Sequence, residues 1–328
     1  MQAIKTRPGA AGPRRREARA RRQGPGLRKR MWQHRYIYLM MLPGLLFLLI
    51  FNYFPMGGMV LAFKDYKFNQ TFWEMPWADL HGFAYFAELF RDEKFWEVTR
   101  NTVLISLGRI LIEFPVPIIL AILMNEVRLK WFKKTVQSVL YFPYFISWVI
   151  IGSMVFNLFS VNRGAVNTIL FQLTGERVNF LINDVFFIVL LFATSIWKSA
   201  GYSMILYMAA ITNIDVELYD AATIDGCNRF QKMRYVTLPG IRIMVLTMLI
   251  LATGNIMNAG FDQIFNMYNS NVYDVADIID TYIYRIGLRE LNFSTGVAVG
   301  LFKSIINFGL LMGVNAVCKR LNGTGIYM

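Results

Sequence analysis

Apolar residues run along this chain in six long blocks, at about 36–62, 102–124, 137–160, 185–211, 241–261 and 294–317, separated by polar stretches. Each block approaches or exceeds the roughly twenty residues that a helix needs to cross a bilayer core about 30 Å thick. None alternates with the period of two that a lipid-facing strand requires. In hydrocarbon only helices satisfy every backbone group within one such segment. The pattern therefore predicts an all-α membrane protein with six transmembrane helices. Several of the expected helices carry breakers: Pro43 and Pro55 in the first, Pro115 and Pro117 in the second, Pro143 in the third. Neighbouring helices can re-satisfy the carbonyls that proline frees, so these positions predict kinks rather than ends.

Composition agrees with the pattern. Of 328 residues, 55% are hydrophobic and 17% charged, against roughly 25% charged in an average soluble domain. The net charge of +13 is concentrated: residues 1–35 hold twelve Lys or Arg against one Glu. A basic tail can bind nucleic acid, but this one runs straight into an apolar block, which favours a cytoplasmic anchor facing anionic headgroups. The first block is too long, and too far along the chain, for a cleaved signal peptide, and is expected to stay in the membrane. Loop charge orients the rest. The 125–136 loop has Arg128, Lys130, Lys133 and Lys134 against Glu126, and the C-terminal end carries Lys319 and Arg320. The 161–184 and 262–293 loops are poor in Lys and Arg, and the 63–101 loop has five basic and seven acidic residues. Both termini are thus expected in the cytoplasm. The expected organisation is a basic tail (1–35), a first helix and outer loop (36–100), a membrane core (101–318) that holds the polar stretch 213–240, and a short cytoplasmic end (319–328). Neither Cys227 and Cys318 nor His34 and His81 have metal-ligand or redox spacing, so free thiols are expected.

The polar stretch 213–240 is the most informative. Asp215 suits a helix N-cap and Gly226 a C-terminal stop. Between them a short helix is predicted, with Leu218, Ala221, Ala222 and Asp225 on one side. The small alanine pair would let another surface approach closely. A second short helix is expected next, with Pro239 at the entry to the fifth span.

Here the sequence resembles the permeases of binding-protein-dependent ABC importers. Their cytoplasmic loop has the pattern Glu-Ala-Ala, three residues, Gly, nine residues, Ile, one residue, Leu-Pro. This chain has Asp220-Ala221-Ala222, Gly226, Val236 and Leu238-Pro239 at the same spacings. The departures are Asp for Glu at 220 and Val for Ile at 236. Asn101-Thr102, Trp197-Lys198 with Gly201, and Tyr282 with Arg285 look like the carbohydrate branch. Gly260-Phe261 through Phe265, and Gly300 through Ser304, look like its polysaccharide-type subgroup, which includes alginate importers.

The resemblance implies a type I importer permease in the bacterial inner membrane. It implies a second, similar permease, two ATPase subunits and an extracytoplasmic solute-binding protein as partners, with a saccharide as substrate. The 216–226 helix would dock on an ATPase, with Glu217, Asp220, Ala221, Ala222, Asp225, Gly226, Leu238 and Pro239 as the coupling residues. No cofactor is expected on this chain; ATP and magnesium would sit on the ATPase. No G-x-x-x-x-G-K-[ST] occurs, and the look-alike from Gly296 to Ser304 has the wrong spacing. An enzyme would need a catalytic or metal cluster, and the sequence offers none. An ion-coupled secondary transporter is the alternative, but it has no use for the 220–239 pattern.

Four ionisable residues fall inside the expected spans: Arg109, Glu113, Lys198 and Lys303. Each would cost on the order of 2.5–3.5 kcal/mol there without a partner or water. Arg109 and Glu113, four apart, can neutralise one another. For Lys198 and Lys303 two readings stand. They bind carbonyls, snorkel or meet acids elsewhere; or they face a wet cavity and favour an anionic sugar such as a uronate oligomer. Asn255 and Asn258 are expected on one face of the fifth helix. They could recognise sugar hydroxyls or bond between helices. Trp197 and Tyr202 are candidate sugar-stacking rings, completing a candidate path of Trp197, Lys198, Tyr202, Asn255, Asn258 and Lys303.

Overall fold

A computed structural model describes residues 32–322. Most of the basic tail and the last residues of the C-terminal end lie outside the described residues. The chain divides into two units, one ending at Met59 and one beginning at Val60.

The first helix, α1, is Arg35–Phe63. Its side chains are exposed through Gly57, and Pro43 lies inside it without ending it.

After the last turn of α1, the second unit continues with α2 (Ala84–Arg91), which lies against the start of a long helix, α3 (Glu93–Glu126). Next come α4 (Lys130–Phe145) and α5 (Trp148–Phe159), bent by 96° to one another, then α6 (Ala165–Thr174) and α7 (Asp184–Thr212). The short α8 (Val216–Ile224) follows, and then α9 (Arg229–Gly240) and α10 (Arg242–Gly254), bent by 59°. Two short helices, α11 (Phe261–Met267) and α12 (Ile279–Ile283), precede the last long helix, α13 (Phe293–Asn322). By length and apolarity, the described residues give four spanning helices, or six if each bent pair is one span. The all-α membrane architecture expected from the hydrophobic pattern holds.

Three widened π-turns mark where proline interrupts these helices. They lie at Leu49–Tyr53, Arg109–Glu113 and Met233–Thr237, each ending two residues before Pro55, Pro115 or Pro239. The physical reason is common to all three. Proline lacks the N–H, and its ring clashes with the carbonyl four residues back, here Phe51, Leu111 and Tyr235. Widening the preceding turn relieves that clash without ending the helix.

Two expected spans differ from the structure. The block 137–160 is not one helix: after Pro143 the backbone turns extended at Ile146, and Ser147 caps a new helix by accepting from Ile150 N–H at 3.4 Å. The block 241–261 ends early, at Gly254. A Cβ at Gly254 would lie 2.6 Å from Leu311 of α13, so glycine allows close helix contact there. Asn255 and Asn258 therefore sit in the irregular link before α11, not on a helix face.

Packing in this unit follows α3 along α7, α10 along α13 and α5 against α11. Apolar cores form around Phe187 and Ile264, around Phe95 and Ile279, and around Met204 and Ile241. Polar anchors fix the segment before α13. Asn101 donates through Nδ2 to the Asp274 carbonyl at 2.9 Å, and Thr102 Oγ1 accepts from Ile279 N–H at 2.8 Å. Both side chains are buried, so the Asn101-Thr102 pair acts as a clamp on α12.

Candidate functional site

The loop between α7 and α10 builds its geometry from its own residues. Asp215 Oδ1 accepts from Glu217 N–H at 2.9 Å and starts α8. Gly226 ends it with φ of +76°, a left-handed conformation that glycine adopts without penalty. The N–H groups of Gly226 and Cys227 return to the Thr223 and Ala222 carbonyls at 3.1 and 2.9 Å. Asn228 then opens α9 with a reciprocal capping box to Gln231.

Side chains fasten α8 to α9 along one edge. The Tyr219 and Thr237 hydroxyls lie 2.9 Å apart, Lys232 Nζ donates to Thr223 Oγ1 at 2.6 Å, and Ala222 is buried. The opposite face is open. Glu217, Asp220, Ala221 and Asp225 are exposed, beside Leu218 at 55% and Ile224 at 86% exposure. Leu238 and Pro239 are exposed in the last turn of α9. The two alanines thus divide the work: Ala222 packs on its own chain and Ala221 faces outward.

A second site lies between the long helices. A cavity of about 330 Å³ is bounded by α3, α7, α10 and the link after Gly254. Arg109 and Glu113 form its charged wall on the widened turn that Pro115 imposes. Their ion pair is 3.5 Å long, and most of their bonding goes to other elements. Arg109 donates to Ser195 Oγ at 3.0 Å and to Gln263 Oε1 at 2.5 Å. Ser195 Oγ donates in turn to Glu113 at 2.7 Å. Gln263 Nε2 donates to the Leu191 carbonyl at 2.7 Å and to Thr194 at 2.9 Å. A Cβ at Gly260 would stand 2.6 Å from Arg109 Nη2, so only glycine leaves room for the guanidinium. Buried Arg109 Nε, Glu113 Oε1 and Ser106 Oγ have no hydrogen-bond partner within the described residues. All three residues line the cavity, together with Ser199, Ser203, Asn255 and Asn258.

The structure splits the sequence-derived path into separate places. Asn255 and Asn258 line this cavity and bond to one another at 3.1 Å. Lys198 instead points at the break between α4 and α5, where it donates to the Tyr144 carbonyl at 2.7 Å and to the Ile146 carbonyl. It caps the carbonyls that the Pro143 break releases, one of the roles the sequence left open. Tyr202 is stacked on Tyr144, with ring centroids 4.0 Å apart. Trp197 is 46% exposed. Lys303 is paired with Asp280 of α12 at 2.5 Å, so of the two readings left open both lysines follow the first, Lys198 on carbonyls and Lys303 on an acid. Ser199 and Ser203, four apart on α7, were a legible polar stripe that sequence reasoning passed over.

These features meet a known pattern. The profile of the family "Binding-protein-dependent transport system inner membrane component" matches residues 117–320. The chain belongs to this family. Among relatives of this permease, the polygalacturonan/rhamnogalacturonan transport system permease protein YteP of Bacillus subtilis (strain 168) is 41% identical, over 90% of this chain and 91% of that protein. Protein LplB of the same organism is 39% identical, over 96% of this chain and 99% of that protein. The permease also superposes, with a TM-score of 0.83 and 35% identity, on a chain in the crystal structure of a bacterial ABC transporter involved in the import of the acidic polysaccharide alginate. The match covers 90% of this chain and 99% of that one. The family sets aside the ion-coupled secondary transporter.

Proposed function

We propose that this permease forms one half of the path of an ATP-driven oligosaccharide importer, paired with a second permease and loaded by an extracytoplasmic binding protein. The observation that carries the mechanism is α8: a short helix rigidly capped at both ends, fastened along one edge, with an open face of small, acidic and apolar side chains. Such a face suits a groove on an ATPase subunit, and ATP and magnesium belong to that subunit. Both termini and the 213–240 loop then lie in the cytoplasm, as the loop charges require.

The cavity around Arg109, Glu113, Asn255 and Asn258 is the substrate path in this reading. Its lining residues Ser199, Ser203, Asn255 and Asn258 carry hydroxyls and amides of the kind that pair with sugar hydroxyls. The oligosaccharide is further read as acidic. The support is no longer the two lysines, which are both engaged, but the relatives: one is named for polygalacturonan, and a solved neighbour imports alginate. The test is uptake in vesicles holding the permease with its ATPases and binding protein. Uptake of a galacturonate or alginate oligosaccharide that stops without ATP supports the proposal. Uptake driven by an ion gradient alone contradicts it.

A further inference from the structure

A larger cavity, about 710 Å³, lies at the other end of the second unit, between the C-terminal half of α5, residues 160–162, residues 179–182 and the segment 266–271. Its lining holds no carboxylate, ammonium or guanidinium group, and it is rich in asparagine. The asparagines of this region fall into two classes. Asn167 and Asn269 hold the walls. Asn167 donates to the Phe159, Ser160 and Val178 carbonyls at 3.2, 3.2 and 2.9 Å and accepts from Val178 N–H at 2.9 Å. Asn269 donates to the Leu181 carbonyl at 2.9 Å. Gly152 lets α5 approach the Asn266 carbonyl where any side chain would clash. The side-chain amides of Asn157, Asn162, Asn179 and Asn271, by contrast, have no partner among the described residues, and all four line the cavity with the exposed ring of Phe156.

Fixed walls, free amides and an open aromatic face are the requirements for a polyhydroxylated ligand. Each amide offers donors and an acceptor, which is what a sugar hydroxyl needs. The lining side chains are neutral, and the neighbouring Arg177 guanidinium is engaged with the Val161 and Asn162 carbonyls at 3.5 and 3.2 Å, so the groove's amides read hydroxyls rather than carboxylates. The topology places these loops on the side opposite α8, hence outside the cell. We propose that this groove is an outward-facing saccharide subsite, which receives the hydroxyl-bearing face of the oligosaccharide before it enters the charged cavity. The proposal rests on the reading of the chain as an oligosaccharide permease.

The test uses the full transporter with its binding protein in vesicles. Two probes are compared, a galacturonate tetrasaccharide and a neutral galactose tetrasaccharide. In the first variant Asn157, Asn179 and Asn271 are changed to Ala; in the second only Phe156→Ala is made. Losing neutral hydrogen bonds should raise the KM for whichever probe wild-type transports by about fivefold or more in the triple variant. The affinity of the binding protein for the transporter should be unchanged. If both tetrasaccharides are carried, the effect should be equal, because the amides removed are uncharged. Unchanged KM in both variants overturns the subsite while leaving the permease reading intact. So does a loss confined to binding-protein affinity, which makes the groove a protein-docking surface. Failure of wild-type to carry either probe, with ATPases and binding protein present, overturns the reading beneath it.

Discussion

The α8 loop and the Arg109 cavity are built on opposite plans. The hydrogen bonds that shape α8 lie within residues 213–240: a cap at Asp215, a glycine stop at Gly226, a tyrosine–threonine contact to α9. The charged wall of the cavity is held in place by residues 86 and 154 positions from Arg109, namely Ser195 and Gln263. A locally closed element presents a rigid face to a partner whatever the rest of the molecule does. A site held across α3, α7 and α11 changes when those helices move relative to one another. The first plan suits transmission, and the second suits a path that must open and close.

Substitutions can break this contrast or sharpen it. The largest effect is expected for Gly226→Pro. Proline cannot adopt the φ of +76° at that position, so uptake should fall by more than tenfold while the helices still insert. Gly226→Ala should be mild by comparison. A Cβ there meets nothing, leaving only the left-handed backbone penalty of about 1–2 kcal/mol. Uptake and ATP hydrolysis measured in the same vesicles check both.

Next is Arg109→Met. It leaves the Glu113 carboxylate buried among neutral partners, and thermal unfolding should show a loss of about 3–5 kcal/mol. Adding Glu113→Leu should restore most of that stability without restoring uptake, separating the structural role of the pair from transport. A double variant with wild-type uptake would remove the cavity from the path.

Lys303→Met is expected to act through stability. It leaves Asp280 unpaired and should cost about 3 kcal/mol, recovered in the Lys303→Met, Asp280→Asn double variant. Loss of acidic-sugar uptake that persists in the double variant would return Lys303 to the path. The smallest change should come from Tyr219→Phe, which removes one hydrogen bond to Thr237. It should cost about 1 kcal/mol in loop stability and less than a twofold change in uptake.

The same contrast explains what the sequence made legible. Helix existence followed from apolar block length, and α8 was readable to within two residues because its cap, its stop and its alanines are neighbours in the chain. The two misjudged spans failed where tertiary context decides. Pro143 kinks a helix in principle, but the 96° bend is completed by Lys198 arriving from α7 to cap the freed carbonyls. The early end of α10 depends on how closely α13 passes Gly254. Arg109 with Glu113 looked self-sufficient at a spacing of four. Nothing local signals that Ser195 and Gln263 take most of their bonding, or that Asp280 waits opposite Lys303.

The most direct test of the account is chemical cross-linking at the two alanines of α8, in a Cys227→Ser background. Ala221 is exposed and Ala222 is buried against its own chain. With a short thiol-to-amine cross-linker, Ala221→Cys should be captured on an ATPase subunit and Ala222→Cys should not. Capture of both residues equally, or of neither in a transporter that imports at the wild-type rate, would contradict the assignment of α8 as the coupling helix.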